Sequence, residues 1–130
     1  MGIQPLDYKD YTLKARITDL EIFHTRLREL NATFIGTDLQ SDHYFSTPKG
    51  KLKWRQGTIE NLITHYERIS EQGAERTIVY RYDLQPTPED LDELRQSSKL
   101  IQVIEKTRHI YLLDHLKIHL DQLPAGDQFV

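Results

Sequence analysis

Apolar and polar residues alternate along most of this chain. Over 10–17, Tyr11, Leu13, Ala15 and Ile17 fall on one side and Asp10, Thr12, Lys14 and Arg16 on the other. That period of two predicts a half-buried strand. Over 51–56, Lys51, Lys53 and Arg55 alternate with Leu52 and Trp54. Over 62–69, Thr64, Tyr66 and Arg68 share a face. Residues 76–82 are rich in Ile, Val and Tyr, which favour strands. Residues 34–45 read as extended with a bend at Gly36. Residues 100–113 read as one long strand or two shorter runs, within which Lys106 and Arg108 repeat the Lys-x-Arg spacing. Over 116–121, Lys117, His119 and Asp121 take the polar face.

Two segments change period. Leu20, Phe23, Leu27 and Leu30 recur at helical spacing after Thr18 and Glu21, a capping-box pair, and Asn31 is a suitable stop. The second begins with Thr87 as N-cap, Pro88 at the first helical position and acids at 89 and 90. Leu91 and Leu94 are its apolar anchors, and it ends near 97–99. Turns are expected at 48–50, 57–61, 71–75, 114–115 and 124–127. Many strands with two helices, and no linker or repeat, predict one antiparallel α+β domain over 1–130.

Composition narrows the function. Of the 130 residues 38% are hydrophobic and 28% charged, as in a globular domain. No apolar run has the length to cross a bilayer, and residues 1–7 lack the layout of a secretion signal, so the expected place is the cytoplasm and no membrane partner is expected. The absence of cysteine excludes disulfides and thiolate metal sites. With 17 Lys+Arg against 20 Asp+Glu, the formal charge is −3, which argues against general nucleic-acid binding.

The cations are nonetheless segregated. Lys14, Arg16, Lys53, Arg55, Arg68, Arg76, Lys106, Arg108 and Lys117 sit on strand polar faces, with Tyr66 and His119 among them, while acids gather on helices and loops. Periodicity alone allows either a solvated sheet face or an enclosed cationic site. Segregation of sign favours the enclosed site, because neighbouring like charges repel unless an anion joins them. Four to six Lys/Arg donors match the roughly four negative charges of a triphosphate, with each charge-assisted hydrogen bond contributing about 1.5–3 kcal/mol. His43 and His65 read as strand fillers, because no ligand cluster accompanies them. Trp54 reads as core.

In this order the motifs resemble the CYTH family, named for class IV adenylate cyclases and thiamine triphosphatases. Lys14 in Thr-Leu-Lys-Ala-Arg-Ile resembles the lysine of the family's E-x-E-x-K. Leu52-Lys53-Trp54-Arg55-Gln56-Gly57 resembles L-K-L-R-x-G, and the stretch through Tyr66 and Arg68 resembles I-x-Y-x-R. Val103 to Arg108 resembles V-x-K-x-R, and Lys117-Ile118-His119-Leu120-Asp121 resembles the K-I-H-L-D strand. The resemblance implies a closed or nearly closed antiparallel β-barrel with flanking helices and a polar triphosphate tunnel. The implied triphosphate-binding residues are Lys14, Lys53, Arg55, Arg68, Lys106 and Arg108. Arg76 joins them from the strand pattern, with Tyr66, Lys117 and His119 as further tunnel residues. Mg²⁺ or Mn²⁺ is implied, with Asp10 and Asp121 as its candidate ligands. The implied substrates are ATP, thiamine triphosphate or inorganic triphosphate, and the implied activity is that of an adenylate cyclase or triphosphatase. The motif departs from the family at Asp10-x-Thr12-x-Lys14. The sequence also ends at Phe129-Val130, before the family's C-terminal acidic strand. The loss of acids supports an alternative, a catalytically silent polyanion- or nucleotide-binding module. A sheet edge left without that strand makes a homodimer one expected assembly.

Overall fold

The structure is a computed structural model that describes residues 15–17, 19–124 and 126–130, with the backbone alone of residues 9–12. Nine strands and two helices are described: β1 (Lys9–Thr12), β2 (Arg16–Ile17), α1 (Leu20–Glu29), β3 (Thr33–Phe45), β4 (Lys51–Gln56), β5 (Leu62–Glu71), β6 (Ala74–Leu84), α2 (Pro88–Ser97), β7 (Leu100–Leu113), β8 (Leu116–Gln122) and β9 (Gln128–Phe129). They fall into two compact units. The first holds β1, Ser41–Gln56 and Glu60–Ile104; the second holds Lys14–Gln40, Gly57–Ile59 and Glu105–Val130.

In the first unit the hydrogen-bonded order is β1-β6-β5-β4, followed by the later part of β3 and the early part of β7. The ladders β3–β4, β4–β5, β5–β6 and β1–β6 are antiparallel. Gly50 makes the β3–β4 turn possible. Its φ is +65°, and a Cβ there would collide with the Tyr66 carbonyl oxygen. The polar stretch expected at 71–75 tightens into a two-residue turn, Gln72-Gly73. Both residues have positive φ, the type I′ geometry whose twist suits a hairpin. One sheet face carries Leu52, Trp54, Ile63 and Phe45, which pack on Leu94 of α2, with Leu91 alongside. The expected cap holds: Thr87 accepts from Asp90 N, and the Asp90 side chain accepts from Thr87 N.

In the second unit the order is the early part of β3, the later part of β7, then β8, β9 and β2. Leu20 and Leu27 of α1 pack on Tyr111 and Leu120, flanked by Ile17, Phe23, Ala32 and Ile118. Asn31, with φ 59°, ends the helix as its sequence suggests, and Leu27 O accepts from Ala32 N.

Three expectations change. The strand expected over 10–17 is described as two, β1 on β6 and β2 on β9. The N-cap of α1 is Asp19, whose side chain accepts from Glu21 N, whereas the expected cap Thr18 lies outside the described residues. The antiparallel sheet and flanking helices are present, but the strand order has two ends, β1 and β2. Among the described residues no ladder closes a barrel.

Candidate functional site

In the first unit, cross-strand register fixes which side chains share a face. Arg55 stands opposite Asp42, and Lys53 stands opposite Tyr44 on one side and Thr64 on the other. Tyr66 and Arg68 continue that face along β5, because side chains two apart point the same way. The other face of β4 is sealed by Leu52 and Trp54 against α2. Lys53 and Arg55 are therefore held at fixed height on a strand that is covered behind.

Their geometry is tight. Arg55 donates through Nε to Asp42 Oδ1 at 2.9 Å and through Nη2 to Oδ2 at 3.0 Å. Lys53 Nζ lies 3.9 Å from Asp42 Oδ2, and Lys53 is only 6% exposed. The ammonium also lies 5.1 Å from the Tyr66 ring centre and 5.7 Å from that of Tyr44. Arg68 stacks over Tyr66 at 5.3 Å and reaches Glu75 at 3.8 Å near the surface. Glu60 stands 3.7 Å from Arg55. Burial pushes both phenols up; Tyr66 and Asp42 add to this at Tyr44, while Arg68 and Arg55 oppose it at Tyr66.

The second unit repeats the device. Arg108 stands opposite Asp121 and donates to it through Nε at 2.8 Å and Nη2 at 2.9 Å. Lys106 Nζ lies 3.4 Å from the same carboxylate. Arg108 is 7% exposed. Burial alone would raise the Asp121 carboxyl, but the Arg108 hydrogen bonds and the charges of Arg108, Lys106 and His119 lower it to about 2. His119 and Lys117 follow on the same face of β8, opposite Ile110 and Leu112; Lys117 is exposed.

The expected site residues thus sort by unit. Lys53, Arg55, Tyr66 and Arg68 come together in the first, and Lys106, Arg108, His119 and Asp121 in the second. Arg76 does not join Lys53. It pairs in register with Ile69, on the face opposite Arg68, and its ion pair is with Glu71 at 3.4 Å. Lys14 lies outside the described residues. Asp10 is placed by register alone, opposite Thr77, and its side chain lies outside the described residues.

Sequence reasoning misses Asp42 and Tyr44, because an extended reading of 34–45 does not assign its faces. It also misses Asp38, which is buried and accepts from Thr58 N at 2.7 Å and Ile59 N at 3.1 Å, fixing that turn within the second unit. The signal is Asp38-x-Gln40-x-Asp42-x-Tyr44, a period-two polar run.

An antiparallel α+β sheet that buries Lys-x-Arg pairs against single carboxylates defines the class of protein. The CYTH domain matches residues 9–126, and the chain belongs to that family. Among solved structures, the PH1012 protein from Pyrococcus horikoshii OT3 superposes with a TM-score of 0.69 at 25% identity, covering 89% of this chain and 73% of that one. A conserved hypothetical protein from Pyrococcus furiosus gives 0.71 at 23% identity, covering 94% and 76%. No curated protein matches. Among the described residues, no helix is long and apolar enough to cross a membrane.

The family implies a divalent cation, and the donors described here do not fit one. Hard cations take several free carboxylate oxygens. No group of three His, Cys, Asp or Glu side chains gathers among the described residues, and both oxygens of Asp42 and of Asp121 accept from arginine.

Proposed function

We propose that this chain binds a linear triphosphate, either ATP or another organic or inorganic triphosphate, in the cytoplasm. The observation that carries this reading is the doubled device. In each unit a buried carboxylate is shared by a lysine and an arginine two residues apart, at 3.9 and 2.9 Å for Asp42 and at 3.4 and 2.8 Å for Asp121. Buried lysine is costly unless a partner compensates it. Phosphate oxygens accept from the same donors, with arginine offering a fork and lysine a point charge. In the first unit the assigned phosphate contacts are Lys53, Arg55 and Arg68, supported by Tyr66; in the second they are Lys106 and Arg108, with His119 beside Asp121. The substrate classes of adenylate cyclases and triphosphatases belong to this reading.

Binding without turnover is a second reading, favoured by the carboxylates' engagement with arginine. Calorimetry with inorganic triphosphate and with ATP, in EDTA and then with Mg²⁺ or Mn²⁺, tests the site. We expect binding in EDTA, weakened at high salt, and its loss in Lys53→Ala and in Arg108→Ala. Unchanged affinity in both variants would refute the site. Phosphate-release and cyclic-AMP assays on the same samples then separate turnover from silent binding.

A further inference from the structure

Among the described residues, no strand pairs with the outer side of the early part of β7. β8 pairs with β7 only from Thr107 to Leu113. Residues 100–103 are all exposed, with Leu100 at 48%, Ile101 at 65% and Val103 at 45%. On its other side β7 is held by β3. Ser46 N donates to Lys99 O at 2.8 Å, and Lys99 N donates to Ser46 Oγ at 3.1 Å. The described peptides are trans. A trans peptide aims its C=O and its N–H in opposite directions. The Leu100 N–H therefore points away from β3, and strand alternation carries the backbone groups of Gln102 and Ile104 to the same outer side. Natural sheets blunt such edges with lysine, proline or a bulge. The run Leu100-Ile101-Gln102-Val103-Ile104 has neither lysine nor proline.

We propose that this edge pairs antiparallel with the same edge of a second copy of the chain, about a two-fold axis at Gln102. The axis can pass through a hydrogen-bonded or a non-hydrogen-bonded pair, so each residue of the run is a candidate centre. An axis at Ile101 sets Lys99 against Val103, and an axis at Val103 sets Ile101 against Glu105. Centred on Gln102, Leu100 meets Ile104 of the second copy and Ile101 meets Val103. Lys99 meets Glu105, the next residue along the strand, and the two-fold repeats each pair. Apolar faces apolar, cation faces anion, and on the axis Gln102 faces its own copy. Moving the axis to Ile104 sets Val103 against Glu105, and moving it to Leu100 sets Lys99 against Ile101. The side chains thus select one register. Main-chain hydrogen bonds supply the attachment, as in other strand additions.

The chain has no cysteine, so a single introduced thiol reports the register without background. In a hydrogen-bonded antiparallel pair the facing Cα atoms lie about 5.5 Å apart, inside the disulfide range. Gln102→Cys should therefore cross-link to a dimer under mild oxidation. Ile101→Cys should not, because its own copy is diagonal, about 7–8 Å away. Sedimentation of the 130-residue chain should show a concentration-dependent dimer. Gln102→Pro removes the central outward N–H, which β3 does not use, so the dimer should vanish while the thermal melt stays within a few degrees of wild type. Lys99→Glu should weaken the dimer, and adding Glu105→Lys should restore it. A wild type that stays monomeric at NMR concentrations overturns the proposal and leaves the edge to a different chain. So does a dimer indifferent to Gln102→Pro, or cross-linking equal at 101 and 102.

Discussion

Asp42 and Asp121 do the same work in different surroundings. Each stands directly opposite an arginine 13 residues away in sequence, and each has a lysine two residues before that arginine within 4 Å. Behind the Asp42 pair, α2 packs through Leu94; behind the Asp121 pair, α1 packs through Leu20 and Leu27. The difference lies around the lysines. Lys53 sits 3.9 Å from its carboxylate and close to the faces of Tyr44 and Tyr66, with Glu60 also 3.7 Å from Arg55. Lys106 sits 3.4 Å from Asp121, a carboxylate that also feels His119. One cluster shares its positive charge with aromatic faces and a second acid. The other sets a histidine beside the carboxylate that its lysine and arginine share.

The largest expected effect comes from removing the Asp121 carboxylate, which accepts both Arg108 hydrogen bonds and lies 3.4 Å from Lys106. Asp121→Ala leaves Lys106 and Arg108 buried without their shared carboxylate and should cost about 3–5 kcal/mol in a urea melt. Asp42→Ala should cost less, about 2–3 kcal/mol, because Glu60 and the tyrosine faces remain beside the cations. Equal losses would mean that the rings and Glu60 carry no compensating energy, and the contrast between the clusters would fall.

The sequence shows some of this contrast and hides the rest for a physical reason. Alternation over 51–56 and 116–121 placed Lys53, Arg55 and Asp121 on the correct faces, because an apolar partner backs each of these strands. Arg108 was legible from its spacing to Lys106. Asp42 was not, because β3 reverses the usual rule: Asp38, Gln40 and Asp42 are buried while Leu39 is 72% exposed. A reading that sends apolar residues inward has no way to orient such a strand. Arg76 shows the converse. The bulge between His65 and Tyr66 shifts the β5–β6 register, and residues 74 to 84 do not carry one alternation throughout, so composition alone could not tell which arginine of the hairpin faces Lys53. Gln, Gly and Glu over 71–75 suggest a longer loop, but the type I′ turn needs only Gln72 and Gly73.

Acid sharpens the comparison at a smaller scale. The Asp121 carboxyl titrates at about 2 in the folded chain, below its unfolded value near 3.9. The folded state thus binds fewer protons in that range. The stabilisation is complete above about pH 4 and is lost as pH falls from there through 2. Linkage puts it at about 2–3 kcal/mol. Hydrogen-exchange protection of the β7–β8 amides should fall more steeply between pH 5 and 2.5 than that of the β4–β5 amides, and Asp121→Asn should remove the difference. Parallel loss in both ladders would show that acid acts globally and not through this carboxylate.

The smallest expected effect tests the rings themselves. Tyr66 is buried, with Lys53 5.1 Å and Arg68 5.3 Å from its ring centre, and its phenol helps to push that of Tyr44 up. Two features of the side chain act here, a quadrupolar face and a hydroxyl. Tyr66→Phe keeps the face and removes the hydroxyl, for an expected cost of about 0.5–1.5 kcal/mol. Tyr66→Leu removes both, and a desolvated cation–π contact adds up to about 2 kcal/mol. If the face matters, Leu must cost more than Phe, and the excess must shrink when Lys53 is first changed to Met, because the two side chains are then no longer coupled. A Leu variant no worse than Phe would reduce Tyr66 to a space-filling side chain and leave Asp42 as the main compensating group for the first cluster.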